Sequence, residues 1–122
     1  YFFFILCGPD EKNIENEITS NLIHKNYLTL SDKKIKDLIP YLCASDMYVG
    51  NDSFGSHITS QSGKKSIILL LDSPKAYTDY SNNNYRIVPN GLNLTDMTHG
   101  TNAKPESISV NRVLDVIKNL KN

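Results

Sequence analysis

Apolar residues fall in short blocks along this chain, and the spacing inside each block predicts an element. Tyr1-Phe2-Phe3-Phe4-Ile5-Leu6 is a continuous aromatic-rich run, the pattern of a strand buried on both faces of a parallel sheet. Gly8-Pro9-Asp10 ends it. Asp10 is expected to cap a helix, with Glu11 in the first turn where the helix dipole favours an acid. Ile14, Ile18, Leu22 and Ile23 then recur at helical spacing, which predicts an amphipathic helix to about Lys25.

Tyr27-Leu28-Thr29-Leu30 reads as a short strand. Ser31 or Asp32 is expected to cap a second helix carrying Ile35, Leu38, Ile39 and Leu42, interrupted or kinked at Pro40. Met47-Tyr48-Val49-Gly50 is another short strand. A short helix over residues 55–61 follows, with Gly63 as its C′ glycine. Ser66-Ile67-Ile68-Leu69-Leu70-Leu71 is the clearest buried strand, ended by Asp72-Ser73-Pro74. Residues 77–84 read as a loop, Tyr85-Arg86-Ile87-Val88 as a strand and residues 92–104 as a second loop. Ser109 caps a last helix whose apolar face is Val113, Val116, Ile117 and Leu120.

Strands that lack strict in–out alternation and that alternate with helices imply an α/β fold with a Rossmann-like parallel sheet. Ligands of such sheets bind beyond the carboxyl ends of the strands. Residues 8–11, 50–57 and 72–77 are the loops placed there.

Composition narrows this only a little. The 122 residues fit a single domain, and 39% hydrophobic with 21% charged residues is a globular composition. Thirteen basic and thirteen acidic side chains cancel, which removes any whole-molecule attraction to nucleic acid or an anionic membrane. Cys7 and Cys43 sit in apolar company and are expected to be free, buried thiols. The opening run is too short to span a bilayer and lacks the positive flank of a secretory signal, so a cytoplasmic protein is expected. It also opens without Met, and the chain is expected to be a piece of something longer.

The chemistry concentrates in Gly50-Asn51-Asp52-Ser53-Phe54-Gly55-Ser56-His57. A strand delivers the chain to the ligand edge, and a turn of small residues leads into a helix whose first N–H groups have no intrahelical acceptor. Such a start suits a phosphate or diphosphate. Ser53 and Ser56 offer hydroxyls, Gly55 permits close backbone approach, and His57 falls in the first turn. Asp52 suits a sugar hydroxyl or the backbone of its own turn. The same residues equally describe an ordinary capped helix with a half-buried histidine.

Asp52-Ser53, then His57, after Gly50-Asn51 and a short hydrophobic strand, resembles glycosyltransferase family 9, the bacterial heptosyltransferases of lipopolysaccharide assembly. Leu42-Cys43-Ala44-Ser45-Asp46 is similar to the helix end that precedes this strand in the family. Gly63-Lys64-Lys65-Ser66-Ile67-Ile68 is similar to its next strand entry, and Ile108-Ser109-Val110-Asn111-Arg112-Val113 to its closing helix start. The resemblance implies the C-terminal, donor-binding domain of an inverting two-domain enzyme of the GT-B type. It would lack the acceptor domain with its general base and the first strand–helix unit of its own domain. It implies a nucleoside-diphosphate sugar such as ADP-heptose as donor, a glycan or lipid-linked acceptor, no cofactor and no metal. Membrane contact would be peripheral, at the inner face, and made only by the full-length protein. Asp52, Ser53, Phe54, Gly55, Ser56 and His57 would surround the diphosphate and sugar, with His57 stabilising the leaving group. Glu11 would meet the ribose hydroxyls, and Leu30 the base through backbone atoms; Glu11 is equally read as a dipole partner in its helix. Phe54 stands where the family usually has Gly, and Leu71-Asp72-Ser73-Pro74 replaces Gly-Pro-Thr-x-Pro.

His24 is read as a helix-end cation, and His99 as a loop residue without a spaced partner. Three scattered histidines and two distant cysteines form no zinc pattern. Tyr77 and Tyr80 could stack on a base or sugar, but loop tyrosines more often pack on the surface, and they are read as surface tyrosines. A non-catalytic flavodoxin-like module and a sugar-nucleotide epimerase of similar architecture are the alternative functions.

Overall fold

The computed structural model describes residues 1–121. The chain divides into two compact units, Tyr1–Ala44 and the remainder from Ser45. Both are built of parallel strands in small sheets flanked by helices, the mixed α/β character expected from the strand–helix alternation.

In the first unit, β1 (Phe3–Ile5) pairs in parallel with β2 (Tyr27–Thr29), in the register Phe3 with Tyr27 through Ile5 with Thr29. Only Ile5 of the opening aromatic run is buried, and Phe2 and Phe3 keep 64% and 50% of their surface exposed, so the expectation of a strand buried on both faces fails. The reason is extent: two strands of three residues each make a sheet too small to cover both of its faces.

The first helix, α1, is Lys12–Ser20, with Glu11 rather than Asp10 at its N-cap. It ends well short of Lys25, and Leu22 and Ile23 lie beyond it. Its buried residue is Glu15, while Ile14 and Ile18 of the expected apolar stripe are 49% and 41% exposed. Burying this carboxylate requires partners, and they are present: Lys12 Nζ lies 2.5 Å from Oε1, and the Ser31 hydroxyl donates to Oε2. Ser31 is therefore engaged with α1 and does not cap the second helix. That helix, α2 (Ile35–Ala44), starts later than Ser31 or Asp32 would place it and runs through Pro40 without ending. Its buried residues are Leu38 and Leu42. Cys43 is exposed, which corrects the expectation of a buried thiol; Cys7 is half-buried, and neither is bridged.

The second unit holds a sheet in the order β3-β4-β5, all parallel: β3 (Met47–Asn51), β4 (Lys65–Leu69) and β5 (Asn84–Ile87). The central strand β4 is the most buried, and its side chains divide between two faces. Ile67 joins Ile87 and Ile108 in a core cluster against which Val113, Val116, Ile117 and Leu120 of α4 (Val110–Lys121) pack. Ile68 and Leu70, on the opposite face, pack with Met97. The helix α3 (Phe54–Gln61) lies on that second face, where the Ser66 hydroxyl donates to the Ser56 carbonyl. Two sequence expectations at helix ends hold here. Gly63 has φ +81°, as a C′ glycine does, and Ser109 Oγ accepts from Arg112 N–H at the start of α4. No helix among the described residues is long and apolar enough to cross a membrane.

Candidate functional site

Because β3, β4 and β5 are parallel, their carboxyl ends share one edge, and the turn from β3 into α3 stands on it. Asp52 and Ser53 form that turn. Phe54 and Gly55 open the helix, and their N–H groups have no intrahelical acceptor.

Three of the expected ligand contacts are taken up by the protein itself. The Ser53 hydroxyl lies 3.0 Å from the Tyr48 hydroxyl. Ser56 is fully buried; its hydroxyl accepts from Ser53 N–H at 3.1 Å and donates to the Ser53 carbonyl at 2.7 Å. Neither serine hydroxyl is thus held ready for a phosphate. Gly55 does permit a close approach, but to Tyr48: a β-carbon there would lie 2.7 Å from Tyr48 Cε2. On the other side, a β-carbon at Gly50 would lie 2.6 Å from the Tyr48 hydroxyl. Both glycines therefore make room for one tyrosine ring, whose hydroxyl also donates to the Asn51 carbonyl at 3.0 Å. Burial pushes the Tyr48 phenol above its ordinary pKa, and the nearby Asp52 charge adds to this. Tyr48 organises the turn, and sequence reasoning missed it because a tyrosine in a short apolar strand looks like ordinary strand filling.

Asp52 and His57 do come together. His57 Nε2 approaches Asp52 Oδ1 at 3.1 Å, and the Asp52 side chain is only 7% exposed. The imidazole N–H is not aligned on that oxygen, however, so Oδ1 is a buried acceptor with no hydrogen-bond partner. A buried carboxylate oxygen that accepts no hydrogen bond is costly, and a bound group that supplies the missing donor is one explanation for it. The other ring nitrogen, Nδ1, lies 2.8 Å from the Tyr80 hydroxyl. Tyr80 is thus a site residue rather than a loose surface side chain. His99, read as a loop residue without a spaced Cys or His partner, is hydrogen-bonded through Nε2 to the Tyr77 hydroxyl at 2.9 Å. Phe54 is 37% exposed beside the helix start. A groove of about 340 Å³, lined by Asn51 and by apolar residues including Leu69, Leu71 and Ile108, opens on the α4 side of the sheet.

Glu11 and Leu30 belong to the first unit. Glu11 Oε2 accepts from Gly8 N–H at 2.5 Å, so its carboxylate braces its own turn. The Leu30 side chain is buried, its N–H donates to the Ile5 carbonyl at 2.9 Å and its carbonyl accepts from Lys33 N–H at 3.0 Å. Both backbone groups expected at a base are therefore engaged within the unit. Among the described residues there is no group of three or more His, Cys, Asp or Glu side chains that could hold a metal ion. Comparison with protein-family models, with curated proteins and with solved structures found no match to this chain.

Proposed function

We propose that this chain is the donor-binding part of an inverting glycosyltransferase of the GT-B type, which takes a nucleoside-diphosphate sugar, heptose-like, and serves a glycan or lipid-linked acceptor on the cytoplasmic side of a membrane. The observation that carries the reading is the buried Asp52 Oδ1 beside the start of α3, which lies 3.1 Å from His57 Nε2 and accepts no hydrogen bond. An acceptor of this kind suits a sugar hydroxyl. The Phe54 and Gly55 N–H groups, with the helix dipole behind them, suit the diphosphate. The order of Asp52, Ser53 and His57, with its likeness to glycosyltransferase family 9, supports the same choice.

On this reading an acceptor hydroxyl attacks the anomeric carbon and loses its proton to a base on the acceptor-binding half. The bond from that carbon to the diphosphate oxygen breaks as the new glycosidic bond forms. The helix-start N–H groups stabilise the departing diphosphate electrostatically, and most effectively as its charge develops. Calorimetric titration with ADP-glucose tests the assignment. Weak binding is expected, reduced in both Asp52→Ala and His57→Ala; superimposable curves for the wild type and both variants would sink the site.

A further inference from the structure

The imidazole of His57 is held between two side chains of different chemistry. The Tyr80 ring stacks on it with centroids 5.6 Å apart and planes inclined by 30°, and its hydroxyl is 2.8 Å from Nδ1. On the other side Nε2 faces the Asp52 carboxylate. An ionised carboxylate only accepts hydrogen bonds, so the hydrogen of the neutral ring belongs on Nε2, and Nδ1 then accepts from the Tyr80 O–H.

We infer that Tyr80 is a positioning residue for His57: its stacked ring and its hydroxyl orient the imidazole, Asp52 sets the Nε2–H tautomer, and Nε2–H with Asp52 Oδ1 forms a subsite for a sugar hydroxyl rather than for a phosphate oxygen. The sugar is that of the proposed donor, so the identity of the ligand rests on the donor-site reading. The argument is one of complementarity. Nε2 and Oδ1 are 3.1 Å apart yet not aligned with each other, leaving a donor and an acceptor side by side. A hydroxyl can accept from the first and donate to the second. A phosphate oxygen can only accept, and the Asp52 charge repels it. His57 therefore reads the sugar, and the diphosphate is left to the backbone N–H groups of Phe54 and Gly55.

Tyr80 is well placed to hold this geometry. It follows the 3₁₀ turn Lys75–Thr78, whose Thr78 is fully buried. The Thr78 carbonyl accepts from Asn84 Nδ2 at 2.9 Å and from Arg86 at 3.2 Å, and Arg86 also pairs with Asp79 at 2.9 Å. The Tyr80 ring itself is 46% exposed, so Tyr80→Phe removes the hydroxyl without emptying a core position.

Long-range ¹H–¹⁵N spectra of the imidazoles, recorded above the ordinary histidine range so that the rings are neutral, read the tautomer directly. His57 is assigned by comparison with single substitutions of His24 and His99. The wild type should show His57 as Nε2–H, and Tyr80→Phe should keep that tautomer while moving the Nδ1 shift toward that of a ring nitrogen without a hydrogen bond. In parallel titrations, Tyr80→Phe should weaken ADP-glucose binding about two- to tenfold, the worth of one hydrogen bond, and leave ADP binding unchanged. An Nδ1–H tautomer in the wild type, or an unmoved Nδ1 shift in Tyr80→Phe, overturns the positioning role. Equal losses for ADP and ADP-glucose overturn the hydroxyl subsite. Failure of both ligands to bind overturns the donor-site reading and the sugar assignment with it, while the Nδ1 shift still decides the role of Tyr80.

Discussion

Gly55→Ala puts the wedged ring of Tyr48 to a quantitative test. The new β-carbon would lie 2.7 Å from Tyr48 Cε2 and 3.4 Å from Cδ2. Carbon atoms in contact settle at about 3.5–4.0 Å, so ring or helix must move by roughly an ångström. The ring has little room to retreat. Its hydroxyl end already abuts Gly50, where a β-carbon would lie 2.6 Å away, and it is held at 3.0 Å by both the Asn51 carbonyl and the Ser53 hydroxyl. Overpacking of this kind costs about 1–3 kcal/mol. Alanine offsets up to about 1 kcal/mol through its helix propensity, and less than that in a first turn. The expected net loss is about 1–2 kcal/mol. Urea unfolding followed by circular dichroism and tyrosine fluorescence measures it, the chain having no Trp. In a Tyr48→Ala background the obstacle is gone, and Gly55→Ala should become neutral or stabilising, a coupling of about 1–3 kcal/mol between the two sites. If Gly55→Ala costs the same in both backgrounds, or is harmless in the wild type, the ring does not dictate the glycine.

Other consequences follow from the charged and thiol groups. The Lys12 hydrogen bond, then that from Ser31, hold the Glu15 carboxyl below the ordinary glutamate range. A depressed folded-state pKa stabilises above the unfolded value and is lost as pH falls through the folded one, so urea midpoints of the wild type should drop on the acid side more steeply than those of Glu15→Gln. Arg86 is only 18% exposed and holds both Asp79 and the Thr78 carbonyl; Arg86→Ala should cost about 1–2 kcal/mol in the same assay, hydrogen bonds to charged groups being among the stronger ones. Burial, with the Glu11 and Glu15 charges behind it, pushes the Cys7 thiol above its ordinary pKa, whereas Cys43 is exposed. Alkylation followed by peptide mass spectrometry should therefore find Cys43 modified before Cys7, and simultaneous modification would contradict the burial described.

The sequence by itself determined the element order, the parallel α/β character and the position of the β3–α3 turn. These depend on local spacing: the short apolar run from Ser66 to Leu71, bounded by Gly63 and Pro74, has the length of an inner strand rather than of a helix, Gly63 and Ser109 mark helix ends through backbone conformation and capping, and Asp52, Ser53 and His57 are near one another because one turn of helix separates them. It misjudged features that depend on residues distant in the chain. Ile14 and Ile18 are exposed while Glu15 is buried, because Ser31, sixteen positions on, reaches the carboxylate. Gly55 reads as a place for a ligand until Tyr48 is found filling it. Tyr80 is twenty-three positions from His57, and no periodicity announces that its hydroxyl will meet Nδ1. Spacing records which residues can share a face, whereas partners across turns are chosen by how the strands stack and where each side chain finds volume and a hydrogen bond, and those are settled only by the tertiary structure.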